Sequence, residues 1–117
     1  MQSKSSGSVQ FYYPQFSRKE IIQKLKDNIK FLEKKLPLSL IVLFGSYAKD
    51  NYTAASDIDL MVIYKGQEIK NAFEIVKKTI PIPRLEPHVY SENNYTKLED
   101  TIQSMIRDGV VLYDKKS

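Results

Sequence analysis

Apolar residues recur at Ile21, Ile22, Leu25, Ile29 and Leu32, the spacing of a helix that buries one face. Ser17 with Glu20 three residues later forms a capping box, so the pattern predicts a helix from there to about Lys35, closed by Pro37. Leu38 to Phe44 and Ile58 to Tyr64 are two apolar runs of strand length, bracketing polar, turn-prone residues and a short helix that starts at Ser46. Gly66 turns the chain into a second main helix, Gln67 to Thr79, with Ile69, Ala72, Phe73 and Val76 inward. Pro81 and Pro83 end that helix and force an extended approach to a third strand, Leu85 to Tyr90. A third long helix is expected over Tyr95 to Arg107, with Leu98, Ile102, Met105 and Ile106 inward and Gly109 at its stop. Val110 to Tyr113 reads as a last short strand.

This order predicts an α/β chain of the α+β kind: a small mixed β-sheet with helices packed on one face and the other face free for substrate. Residues 1–10, rich in Ser and Gln, have too little apolar content to fold alone, so 1–15 is expected to be a flexible N-terminal segment. Its aromatic run, Phe11 to Phe16, either covers the core edge or contacts a partner. Residues 16–117 are then expected to form one domain, because 117 residues at 42% hydrophobic content can bury one core but not two.

The formal charge of +4 is unevenly placed. Residues 1–35 hold eight Lys/Arg against three Asp/Glu, and 36–117 hold ten against eleven, so the basic excess belongs to the N-terminal segment. Lysines at helical spacing usually form a solvated face. A dedicated nucleic-acid channel would interleave basic and aromatic residues, which this chain does not, and direct nucleic-acid binding is not expected. With no cysteine there is neither disulfide nor thiolate metal site. No apolar run approaches a membrane span and no signal-peptide core is present, so the expected location is cytoplasmic.

The chemistry concentrates in Gly45-Ser46 and, ten residues later, Asp57-Ile58-Asp59. On a strand, alternate side chains share a face, which puts the two carboxylates on the same side with Cα atoms roughly 6–7 Å apart. Paired carboxylates repel, and a hard oxygen-seeking cation such as Mg²⁺ relieves that repulsion by bridging them. Two such ions about 3.5–4 Å apart can clamp a triphosphate. Gly45 supplies the backbone freedom for a sharp turn and close phosphate approach, and Ser46 adds a hydroxyl donor.

Leu43-Phe44-Gly45-Ser46-Tyr47-Ala48-Lys49 followed by Ser56-Asp57-Ile58-Asp59-Leu60 resembles the signature of minimal nucleotidyltransferases (MNT), a branch of the DNA polymerase beta-like superfamily. The compound G-S-x10-D-x-D pattern with apolar strands on both sides is specific; a bare D-x-D or Gly-Ser would not be. The resemblance extends from about Phe16 to Tyr113, and it implies a nucleotidyltransferase-like fold with the acidic pair at the sheet's edge. Lys49 stands at the family's basic position, but Asp50 follows where the family has Gly; Asp50-Asn51 can still turn, since Asn tolerates the left-handed conformation.

The resemblance also implies a third carboxylate on the strand after the second long helix. Glu86 is the candidate, sharing a face with His88 and Tyr90, and Glu92 lies just beyond. Pro87 argues for an edge strand. The bland alternative is that Glu86 is merely solvated. His88, the only histidine, could orient an acceptor or touch phosphate, or be structural. Lys49, Lys65 and Arg84 are phosphate contacts by charge alone, and Tyr47, Tyr52 and Tyr64 could stack on a base.

The expected activity is therefore Mg²⁺-dependent transfer of AMP from ATP to a hydroxyl. Asp57, Asp59 and Glu86 would hold two ions, and Gly45, Ser46 and Lys49 the nucleotide. MNT proteins commonly pair with a HEPN-domain protein, a helical ribonuclease toxin, and act as antitoxins that bind it or AMPylate its tyrosine; the resemblance implies that partner here. The competing class is a catalytically degenerate MNT protein that neutralises the toxin by binding only.

Overall fold

The computed structural model describes residues 16–53 and 55–115. The segment 1–15 lies outside the described residues. Nine elements follow in order: α1 (Arg18–Leu32), β1 (Leu38–Phe44), α2 (Ser46–Lys49), β2 (Ile58–Tyr64), α3 (Ala72–Thr79), β3 (Leu85–Ser91), α4 (Glu92–Lys97), α5 (Glu99–Ile106) and β4 (Val110–Asp114). The capping box that starts α1 is present in both directions: Ser17 Oγ accepts from the Glu20 N–H at 3.1 Å, and Glu20 Oε1 accepts from the Ser17 N–H at 2.9 Å.

The sheet is mixed, in the order β3-β2-β1-β4. β1 runs antiparallel to β2 and β4, while β2 and β3 are parallel and joined through α3. Ile41 and Leu43 of β1, with Leu60 and Val62 of β2, pack in the main core with α1 residues Ile21, Leu25 and Leu32 and with Val76 of α3. The alternating positions Val42, Met61 and Ile63 form a second cluster with Ile102 of α5. Burial on both faces is why β1 and β2 read as continuous apolar runs rather than as alternations. The α+β class, the mixed sheet and the edge place of the Pro87 strand are as the sequence predicts. The face expected to be free for substrate, however, is covered over part of its area by α5.

Two helices differ from expectation. The second main helix begins at Ala72, because Tyr64 Oη takes the Ile69 N–H at 2.8 Å and holds residues 67–71 outside a helical ladder. Ala72 and Val76 are buried as expected, while Phe73 is 44% exposed. The third helix starts earlier and breaks in two. Ser91 caps α4, its Oγ accepting from the Asn94 N–H at 3.2 Å, and Leu98 leaves helical geometry at φ −113°, ψ 18°. The break leaves Leu98 outside the core and turns Ile102 fully into it. Gly109 ends this region where a Cβ would meet Val42 Cγ1 at 2.6 Å, so β1 can approach only because no side chain stands there. Among the described residues no helix is long and apolar enough to cross a membrane.

The loop after α2 turns on Asp50, which adopts φ 61°, ψ 31°, while the following Asn51 N–H closes back onto Ser46 O at 3.1 Å. The left-handed residue is thus the aspartate itself, not its asparagine neighbour. A side chain at that conformation costs roughly 1 kcal/mol relative to glycine. Asp50→Gly is expected to raise stability by about 0.5–1 kcal/mol in urea unfolding, despite glycine's larger unfolded-state entropy; a loss of stability would contradict the left-handed turn.

Candidate active site

Strand pairing assembles the site. Phe44 pairs with Asp59 across β1 and β2, so Gly45, the next residue, emerges beside the start of β2; Asp59 in turn pairs with Glu86 across β2 and β3. Gly45-Ser46, Asp57, Asp59 and Glu86 therefore share one end of the sheet, and Asp59 and Glu86 share one face. Gly45 holds φ 76°, ψ −151°, a region open only to glycine. A Cβ there would overlap Asp59 Oδ2 and lie 3.2 Å from Asp59 Cγ. The strand exit and the carboxylate thus occupy adjoining space, and the turn works only without a side chain.

Asp59 is the more enclosed of the acidic pair, with 27% of its side chain exposed against 56% for Asp57. Burial pushes the Asp59 carboxyl above its ordinary range; contact with His88 works against that push, and the charges of Asp57 and Glu86 add to it. His88 Nε2 stands 3.5 Å from Asp59 Oδ1. At that distance the contact falls outside hydrogen-bond geometry, and among the described residues His88 Nε2 is buried without a hydrogen-bond partner. The Phe44 ring meets the imidazole edge to face at 5.0 Å. His88 accordingly stands against the acidic centre, a contact that its sequence position did not announce.

The remaining candidates separate clearly. Ser46 opens α2 and is half-buried, and Lys49 closes it exposed. Lys65 follows the far end of β2, its N–H on Pro37 O, and stands away from the acids. Glu92 also lies at the far end, where it accepts from Ser39 Oγ at 3.0 Å. Tyr64 is buried with its hydroxyl committed to Ile69, and Tyr47 and Tyr52 stack on each other at 4.2 Å. Arg84 is turned onto the Asp57 loop, with Nη2 3.4 Å from Asp57 Oδ1. Sequence reading missed Arg18, whose Nε donates to Tyr47 O at 3.0 Å and whose Nη2 donates to Ala48 O at 3.4 Å, tying α1 to the last turn of α2. No motif announces that contact, since it joins residues 29 and 30 apart.

Asp57, Asp59 and Glu86 offer hard oxygen donors, the chemistry Mg²⁺ takes. Among the described residues no group of three or more His, Cys, Asp or Glu stands close enough to hold a metal. The acidic pair still fits, because Mg²⁺ is commonly held by one or two carboxylates together with substrate phosphates and water rather than by an all-protein cage.

The family model described as "Polymerase beta, Nucleotidyltransferase" matches residues 23–117. Among solved structures, a candidate nucleotidyltransferase from Sulfolobus solfataricus aligns with a TM-score of 0.61 at 20% identity, covering 95% of this chain and 96% of that one. A toxin-antitoxin structure with AMP-PNP aligns at 0.52 and 25% identity, over 86% of this chain and 75% of that one. A mutant of the toxin-antitoxin MntA-HpeT aligns at 0.53 and 23% identity, with the same coverage of 86% and 75%. At such identities the first and third show likeness of fold alone. No curated protein sequence matches the chain at a significant level.

Two substitutions test this geometry. Gly45→Ala is expected to cost about 2–4 kcal/mol in urea unfolding, from the glycine-only backbone and the overlap with Asp59 together; an unchanged midpoint would contradict it. Because folded Asp59 binds its proton more tightly than the unfolded chain does, the native state is penalised above the raised pKa and regains stability as pH falls through it toward the ordinary carboxyl value. In chelator at neutral pH, Asp59→Asn should therefore melt higher than the unaltered protein, with the gap closing on acidification. A lower melting temperature for Asp59→Asn at neutral pH would overturn this assignment.

Proposed function

Because the chain belongs to the Polymerase beta nucleotidyltransferase family, whose model spans residues 23–117, we propose that it transfers AMP from ATP to a hydroxyl acceptor, a tyrosine of a HEPN-domain toxin for which it is the antitoxin. The observation that carries this reading is the meeting of Asp57 and Asp59 with Gly45-Ser46 at one sheet end, beside Glu86. The similarity to a toxin-antitoxin structure with AMP-PNP supports both nucleotide and partner.

In this scheme Gly45 lets the triphosphate approach the backbone, while the Ser46 hydroxyl and Lys49 ammonium contact its β- and γ-phosphates. Asp57 and Asp59 would hold the cation, with Glu86 the further carboxylate available should a second ion load. Bound Mg²⁺ supplies neutralisation of the departing pyrophosphate and a lowered pKa for the attacking hydroxyl. The acceptor oxygen forms its bond to the α-phosphorus as the bond to the bridging oxygen breaks; pyrophosphate leaves and Glu86 takes the hydroxyl proton. The working unit is residues 16–117, and its dependence on ATP and Mg²⁺ suits the cytoplasm.

A second reading, neutralisation of the toxin by binding alone, is favoured by one observation: no three-donor group stands at ligand spacing among the described residues. Incubation with labelled ATP, Mg²⁺ and the protein of the adjacent gene separates the two. Transfer predicts label on the partner that falls at least a thousandfold in Asp57→Ala and Asp59→Ala, the scale expected when a chemical step loses its metal ligand. No label, with inhibition of the toxin surviving both changes, would establish masking instead.

A further inference from the structure

We propose that Arg84 is a positioning residue that sets Asp57 in place by clamping the loop ahead of β2, an assignment that rests on the nucleotidyltransferase reading above. Arg84 sits at φ 66°, a conformation glycine adopts freely and a long side chain does not. Such a conformation persists where surrounding contacts over-determine it. Here they are consecutive: Nη2 donates to Ala55 O, Nε donates to Ser56 O at 3.2 Å, Nη2 lies 3.4 Å from Asp57 Oδ1, and the Arg84 carbonyl accepts from the Ile58 N–H at 2.9 Å. One residue therefore holds four successive positions, ending one before Asp59.

The first half of the loop is anchored by Tyr52, whose hydroxyl accepts from the Arg18 N–H at 2.9 Å and whose ring stacks on Tyr47, whereas residues 53–57 lie beyond that anchor. Apart from those to Arg84, the hydrogen bonds of residues 53–57 among the described residues are internal, joining Thr53 to Ala55 and Ser56. The planar guanidinium fork can serve two carbonyls and a carboxylate together, which a lysine ammonium on a flexible stem cannot do with fixed geometry. The ion pair itself is weak, since both side chains are about half exposed. Arg84 thus acts through the backbone of 55–57 and touches only Oδ1 of Asp57, leaving Oδ2 for a cation. A free-standing phosphate contact, the role its charge alone implies, would not spend the guanidinium on two carbonyls.

The test uses Arg84→Gly, which suits φ 66° and removes the side chain without adding backbone strain. Thermal unfolding and calorimetric titration with Mn²⁺ plus AMP-PNP are measured on the full chain, on Arg84→Gly and on Arg84→Lys. Expected are an unfolding midpoint for Arg84→Gly equal to or above that of the unaltered protein, and affinity for Mn²⁺ with AMP-PNP weaker by about tenfold, the scale of leaving one backbone residue to be ordered on binding. Arg84→Lys should fail to restore it. In an Asp57→Asn background the same change should have little further effect. Wild-type affinity in Arg84→Gly overturns the positioning role while leaving the nucleotidyltransferase reading intact. Absence of uptake by the unaltered protein overturns both.

Discussion

Asp59 occupies space that exists because Gly45 has no side chain, and the arrangement of the whole site depends on that contact. Antiparallel pairing of β1 with β2 brings the exit of one strand against the start of the other, and any residue with a Cβ at the exit would push the carboxylate away. Parallel pairing of β2 with β3 then aligns Glu86 with Asp59, and His88, two residues on, reaches the same carboxylate. Three strands contribute one functional end, each through its register rather than through a flexible loop.

Several unfavourable features lie at that end. Gly45, Asp50 and Arg84 all have positive φ, Asp59 carries a burial penalty, and the His88 Nε2 atom is buried without a hydrogen bond. Strain and desolvation of this kind persist where the rest of the fold over-determines them. Here the supporting part is the two-sided burial of β1 and β2, with Ile41, Leu43, Leu60 and Val62 toward α1 and α3, and Val42, Met61 and Ile63 toward α5. The far end of the sheet, where Tyr64 and Ser39 are satisfied by Ile69 and Glu92, has no such concentration.

Much of this was legible in the residue order. The α1 capping box, both central strands, the edge strand with Pro87 and the family signature from Leu43 to Leu60 are local patterns, and local patterns survive in sequence. What sequence could not carry is set by contacts between distant residues. The late start of α3 follows from Tyr64 Oη capturing an amide, and the break at Leu98 from Ser91 capping a helix early. Arg84 looked like a phosphate contact because charge was its only visible property; its carbonyl partners lie 28 and 29 residues away. The left-handed residue is Asp50, although the asparagine beside it is the better-known tolerant type.

On the proposed reading, a divalent cation and a nucleotide load together at the end of the sheet where Gly45, Asp57 and Asp59 meet. Paramagnetic broadening of amide resonances by Mn²⁺ in the presence of AMP-PNP locates that event directly. Selective loss of signals from residues 45–49, 57–60 and 85–88 is expected, with those near Ser39 and Glu92 preserved. Broadening centred on Ser39 and Glu92, or none at all, would contradict it.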